Sequence, residues 1–180
     1  MPSAQTIHVP HLGGTTASYQ TPRPLDPNKP TLVLINSFTT DSELYRAQFA
    51  NPALTDRMNL LAIELLGHGQ TRTSSETFTY WDTAIMNLQV LQALGITERV
   101  FALGTSQGGW VAVRMALLAM GMGVKVFCHF LFLLLFFFFD LLQMCPLASP
   151  RACEPACLIL HLSSATQPTK PLPRLLPYSS

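Results

Sequence analysis

The chain has 180 residues, 12% of them charged, and a formal net charge of +1. This length suffices for one domain with a sizeable core, and the balanced charge gives no ground for a nucleic-acid partner. The average hides a break. Through Gly123 there are seven basic and eight acidic residues and no cysteine, whereas from Val124 onward there are four basic and two acidic residues, all four cysteines and seven of the fourteen prolines. Two units are therefore expected: a folded region over 1–123, and a tail over 124–180 that is apolar at first, then Pro/Ser/Cys-containing, and disordered or non-native.

Met1-Pro2-Ser3-Ala4-Gln5-Thr6 has neither a positive start nor an apolar stretch, so no secretory signal is predicted and a cytoplasmic location is expected. Cys128, Cys145, Cys153 and Cys157 show no paired C-x-x-C spacing, which indicates neither a zinc site nor a disulfide framework.

Thr6–Val9 and Thr15–Tyr19 flank Gly13-Gly14 and predict a hairpin. His8 and His11 fall on or beside it and read as ordinary surface or edge-strand histidines, with no carboxylate or cysteine at ligand spacing. After a proline-rich connection, Thr31–Ile35 is a continuous apolar run suited to a parallel strand buried on both faces. A polar loop follows, Asn36–Thr40, and then a helix capped by Asp41, with Leu44, Tyr45, Gln48 and Phe49 at helical spacing and Pro52 as its stop.

Met58–Glu64 repeats the buried-strand pattern and leaves through Gly67-His68-Gly69. His68 and Glu64 are expected to organise and tether that loop rather than to act on substrate. Thr79 with Asp82 predicts a capping box, and Trp81, Ala84, Ile85, Leu88, Leu91 and Leu94 trace one helical face that ends at Gly95. Strands alternating with helices imply right-handed crossovers and a parallel sheet, with ligands at the carboxyl ends of the strands.

Arg99–Leu103 then runs into Gly104-Thr105-Ser106-Gln107-Gly108-Gly109, and Trp110–Leu118 suits a buried helix. A strand that becomes a helix within two residues strains its central residue and lifts that side chain clear of the sheet. The flanking positions must be glycine because a Cβ there would strike the adjoining strand and helix. Gln107, next in the chain, offers a backbone N–H at a helix N-terminus, where unpaired donors favour an oxyanion.

In order and spacing, residues 5 to about 121 resemble the N-terminal half of the α/β-hydrolase superfamily: a hairpin, a strand ending at an oxyanion loop, a strand followed by Gly-His-Gly, an amphipathic helix and a nucleophile elbow. The resemblance implies a mostly parallel α/β sheet, truncated after the elbow helix, and hydrolysis of an ester or related acyl bond in a small-molecule substrate, with neither metal nor organic cofactor. It implies Ser106 as nucleophile and the backbone of Gln107 and of Phe38 as oxyanion donors; the loop carries Asn36-Ser37 where the family often has His-Gly. The family's triad continues with an acid and a histidine further along the chain. After the elbow the candidates are Asp140 and Glu154, His129 and His161. Asp140 with His161 is the pairing in the right order that avoids a proline-flanked acid, but it lacks the strand and helix context. The expectation is a chain missing its catalytic acid and histidine, inactive or weakly active.

The run Val126–Phe139 is apolar except for His129 and lies between Lys125 and Asp140. A bilayer span takes about 20 apolar residues. The rival reading is a non-catalytic, membrane-associated protein anchored by 126–142. A further expectation comes from the codons: Phe, Leu, Ser and Pro are encoded by pyrimidine-rich triplets, and Gly123-Val124-Lys125 is compatible with a splice donor. Residues beyond about 123 would then be a translated non-coding tract, leaving the strand before Ser106 as an unpaired edge.

Overall fold

The computed structural model describes residues 2–131, and of 128–131 the backbone alone. The hairpin forms as the glycines require: β1 (Gln5–Val9) and β2 (Thr15–Gln20) pair antiparallel. The 3-10 turn between them carries Gly13 and Gly14 at φ 75° and 118°. In the same sheet, β3 (Thr31–Ile35) and β4 (Asn59–Ile63) pair parallel, both buried at every position and in register from Thr31 opposite Asn59 to Ile35 opposite Ile63. Their uninterrupted apolar sequence suits strands covered on both faces.

Between them, Asp41 caps a 3-10 turn by accepting the Glu43 N–H at 2.9 Å, and the chain continues into α1 (Arg46–Phe49). Pro52 does more than stop this helix. It opens a second one, α2 (Pro52–Thr55), where its missing N–H costs nothing at the first turn and Asn51 supplies the cap.

A short β5 (Arg72–Thr73), which no sequence pattern announced, pairs with β2. Next, α3 (Tyr80–Ala93) starts at the expected capping box and ends in a Schellman motif, with Ile96 N–H on Leu91 O at 2.8 Å and Gly95 N–H on Gln92 O at 3.0 Å. Its buried face is rotated from the one predicted. Thr83, Ala84, Met86, Asn87, Leu88, Val90 and Leu91 face the core, while Trp81 is 43% exposed.

β6 (Val100–Thr105), α4 (Gln107–Ala119) and β7 (Val126–Leu131) complete the described chain. The sheet order is β1-β2-β4-β3-β6-β7, with β5 on β2. The described residues lie within one compact unit. Leu61, Ile63, Leu88, Leu91, Val111 and Met115 belong to its main core cluster, each buried to about 1% exposure or less.

The composition break does not mark the end of the sheet. After Gly123, at φ 70°, Val124 N–H bonds to Ala119 O at 2.9 Å and Lys125 N–H to Thr97 O at 2.8 Å. β7 then runs parallel to β6 from Val100 opposite Val126 to Thr105 opposite Leu131. β6 is therefore interior, between β3 and β7, and not the unpaired edge expected. Residues 126–131 of the candidate anchor are a strand; the remainder of 126–142 lies outside the described residues. Among the described residues no helix is long and apolar enough to cross a membrane.

Candidate active site

β3 is the switch point of the sheet, with β4 on one side and β6 on the other. Because Ile35 stands opposite both Ile63 and Gly104, three strands end at one level, and the loops that follow emerge side by side. A crevice at such a reversal is where ligands of open α/β sheets bind. Asn36–Thr40, the loop after Ile63 and Ser106 all follow directly on these strand ends.

Ser106 adopts φ 50°, ψ −117°, a region that disfavours a side chain, and it is exposed at the turn between β6 and α4. Packing enforces the strain. A Cβ on Gly104 would run into the backbone of Gly108, and one on Gly108 would run into the carbonyls of Ile35 and Asn36. The helix can start this close to β3 because both positions lack side chains. Gln107 is the first residue of α4, so its N–H has no intrahelical acceptor and points with the positive end of the helix dipole.

The loop after β3 is held from within. Asn36 is buried, and its Nδ2 donates to Ser37 O at 3.1 Å and Thr40 O at 2.6 Å; Thr40 N–H closes the turn on Ser37 O. Thr39 takes φ 62°. Phe38 sits at the tip, 67% exposed, with its ring edge-on to His68 at 6.0 Å. Beneath the loop, the buried Tyr45 hydroxyl donates to Ile35 O at 2.6 Å, and burial pushes its pKa well above the ordinary tyrosine value.

Glu64 and His68 both make hydrogen bonds that shape the loop after β4. Buried Glu64 accepts Gln70 N–H at 2.7 Å and the Ser42 hydroxyl at 3.1 Å, joining the loop after β4 to the turn after Asp41. His68 Nδ1 lies 3.0 Å from Leu66 O, and because a carbonyl only accepts, that nitrogen carries the proton. Among the described residues the Ser106 hydroxyl has no hydrogen-bond partner; Asp140 and His161 lie outside them. Nor, among those residues, do three His, Cys, Asp or Glu side chains converge as a metal site.

Two clusters escaped the sequence reading. His11 is more than an edge histidine: its Nε2 lies 2.9 Å from Asp82 Oδ1, tying the hairpin to the start of α3. The second surrounds Arg114, whose guanidinium lies 5.6 Å from the Tyr80 ring, 5.0 Å from Trp81 and 5.8 Å from Trp110. A single cation in an otherwise apolar helix just past the elbow was the available signal.

A strand, a strained serine and a helix packed on glycines lie beside the switch point of a mostly parallel sheet. The chain belongs to the alpha/beta hydrolase fold family, whose model matches residues 30–124. Similar solved structures include a hydrolase from Pseudomonas aeruginosa, 26% identical with TM-score 0.55 over 68% of this chain and 44% of that one. An enol-lactonase from Burkholderia xenovorans LB400 is 24% identical with TM-score 0.55, over 67% of this chain and 45% of the other. A thermophilic esterase from Thermogutta terrifontis is 21% identical with TM-score 0.54, over 63% and 40%. This chain thus spans less than half the length of these neighbours. A comparison with curated protein sequences finds no match.

Proposed function

We propose that this chain carries the nucleophile half of a serine-hydrolase site acting on a small-molecule ester or related acyl compound. The observation that carries this reading is the backbone of Ser106, held at φ 50°, ψ −117° by two glycines that admit no Cβ. Such strain persists only where surrounding structure enforces it, and it clusters at functional sites. Neighbours named as an esterase and an enol-lactonase support acyl chemistry as the class.

In the reaction, Ser106 Oγ bonds to the acyl carbon as its proton passes to a base, and the carbonyl oxygen takes the negative charge. The Gln107 N–H and the backbone N–H of Phe38 receive that oxyanion. Collapse expels the alcohol, which regains a proton, and water then releases the acid and restores the serine. A histidine oriented by an acid normally serves as the base. Among the described residues no side chain hydrogen-bonds Ser106 Oγ, and we propose that without such a pair the chain is inactive or weakly active, retaining at most about 10³–10⁴-fold over water from oxyanion stabilisation and binding.

Labelling by a fluorophosphonate, read by mass spectrometry on the folded 180-residue chain with Ser106→Ala as control, tests the assignment. An adduct on Ser106 that the variant lacks is expected. Folded protein that never acquires it would defeat the nucleophile reading.

A further inference from the structure

A cleft of about 320 Å³ opens beside the elbow, between the first turns of α3 and α4, lined by Phe78, Tyr80, Trp81, Gln107 and Arg114 among others. Gln107 is the residue immediately after the serine. Phe78, Tyr80 and Trp81 are each 40–43% exposed, and Trp110, half exposed, packs on the same guanidinium. These are large apolar faces held open around a cation.

The rings offer cation–π contact to the guanidinium but accept none of its N–H hydrogen bonds in the plane of the group. Arg114 Nη1 donates back to Trp110 O at 2.9 Å, one turn earlier in α4. Its Nε is buried, and among the described residues it makes no hydrogen bond and no carboxylate pairs with the guanidinium. Asp82, the acid nearest the cleft in sequence, is committed to Thr79 and His11. Gln107 Oε1 is likewise buried and unpartnered. A buried donor without an acceptor is costly, and the Nε/Nη2 edge of arginine matches a carboxylate with two parallel bonds.

We infer that this cleft is a subsite for a carboxylate borne on a flat apolar body, so that the acyl compound presented to Ser106 carries an acid group. Arg114 binds the carboxylate, the rings of Phe78, Tyr80 and Trp81 cover the apolar body, and Gln107 Oε1 accepts a hydroxyl or amide proton from it. The inference rests on the Ser106 reading for what the site is for, but not for whether an anion binds.

Trp81 and Trp110 are the only tryptophans of the chain, so its intrinsic fluorescence reports on this cleft directly. The 180-residue protein is titrated with phenylacetate and with its neutral amide, phenylacetamide. Saturable quenching by phenylacetate is expected at concentrations at least about tenfold below those needed for the amide, because only the acid forms the charge-assisted pair. Arg114→Gln should erase that preference and Arg114→Lys, which keeps the charge without the fork, should weaken it, each variant being checked for folding by circular dichroism. Equal titration by acid and amide in the unmodified protein, or no saturation by either, overturns the subsite without recourse to any variant. Fluorophosphonate labelling on the same sample separates the two readings. A preference for phenylacetate with no Ser106 adduct keeps the anion site and removes the nucleophile; an adduct with no preference does the reverse.

Discussion

The carboxylate of Glu64 lies against the bare Cα of Gly69, so closely that a Cβ at 69 would overlap both carboxylate oxygens. Gln70 N–H draws the carboxylate there, and Gly69 itself sits at φ 50°. Gly69→Ala therefore meets a clash and a disfavoured backbone together, and a loss of about 1–3 kcal/mol is expected in urea unfolding. Combined with Glu64→Ala, which vacates the space, the loss should be less than the sum of the two single changes; strict additivity would show that the two residues are not coupled.

Gly104 and Gly108 face backbone atoms, which cannot rotate away, whereas Gly95 has open space around it and requires only its positive φ of 72°. Alanine at 95 should cost about 1–2 kcal/mol. Alanine at 104 or 108 should cost more than that, near or beyond the upper end of overpacking penalties at about 3 kcal/mol, with loss of soluble protein as the first sign. Thermal melts of the three variants side by side test the ranking.

Removing the Tyr45 hydroxyl leaves Ile35 O, the carbonyl against which Gly108 packs, without its 2.6 Å donor. Tyr45→Phe should destabilise by about 1–2 kcal/mol. Burial keeps the phenol neutral past its usual titration range, so this cost should not vary between pH 6 and 9. A variant as stable as the parent would mean that water replaces the hydroxyl.

Hydrogen bonds from Thr79, followed by the hydrogen bond and charge of His11, hold the Asp82 carboxyl below its ordinary pKa, against a partial penalty from burial. The folded state thus binds this proton more weakly than the unfolded chain. Its contribution is complete above the unfolded value near pH 4 and is lost as pH falls through the lower folded value. Asp82→Asn should flatten the fall in stability over that acid window, while Thr79→Ala should cost about 1 kcal/mol near neutrality through the lost cap. The Glu98–Lys125 pair is exposed and screened by solvent, so Glu98→Gln should leave the same acid limb in place.

Legibility from sequence followed the range of the interactions. β3 and the elbow could be read because a buried parallel strand is a continuous apolar run and a tight strand-to-helix turn needs its glycines within a few residues. The buried face of α3 was misread because Trp81 is large and apolar, yet it lies over the Arg114 guanidinium, while Asn87 turns inward and donates to Met115 Sδ at 3.5 Å. His11 and Asp82 are 71 positions apart, a separation that no local pattern spans. Pro52 reads as a stop in the sequence because the same missing N–H that ends one helix suits the first turn of the next.

β7 exposes a contrast in how much two neighbouring parts of this fold demand of their sequence. β7 is held beside β6 by the backbone register that pairs Val100 with Val126 through Thr105 with Leu131, and ladder hydrogen bonds of that kind place few demands on side-chain identity, so many different runs entering after the turn at Gly123 could take up the same register. At the elbow a few residues away, the addition of one methyl group is too much. Substitution is therefore cheap along β7 and prohibitive at the switch point of this sheet, and inherited variation in such a chain should accumulate accordingly.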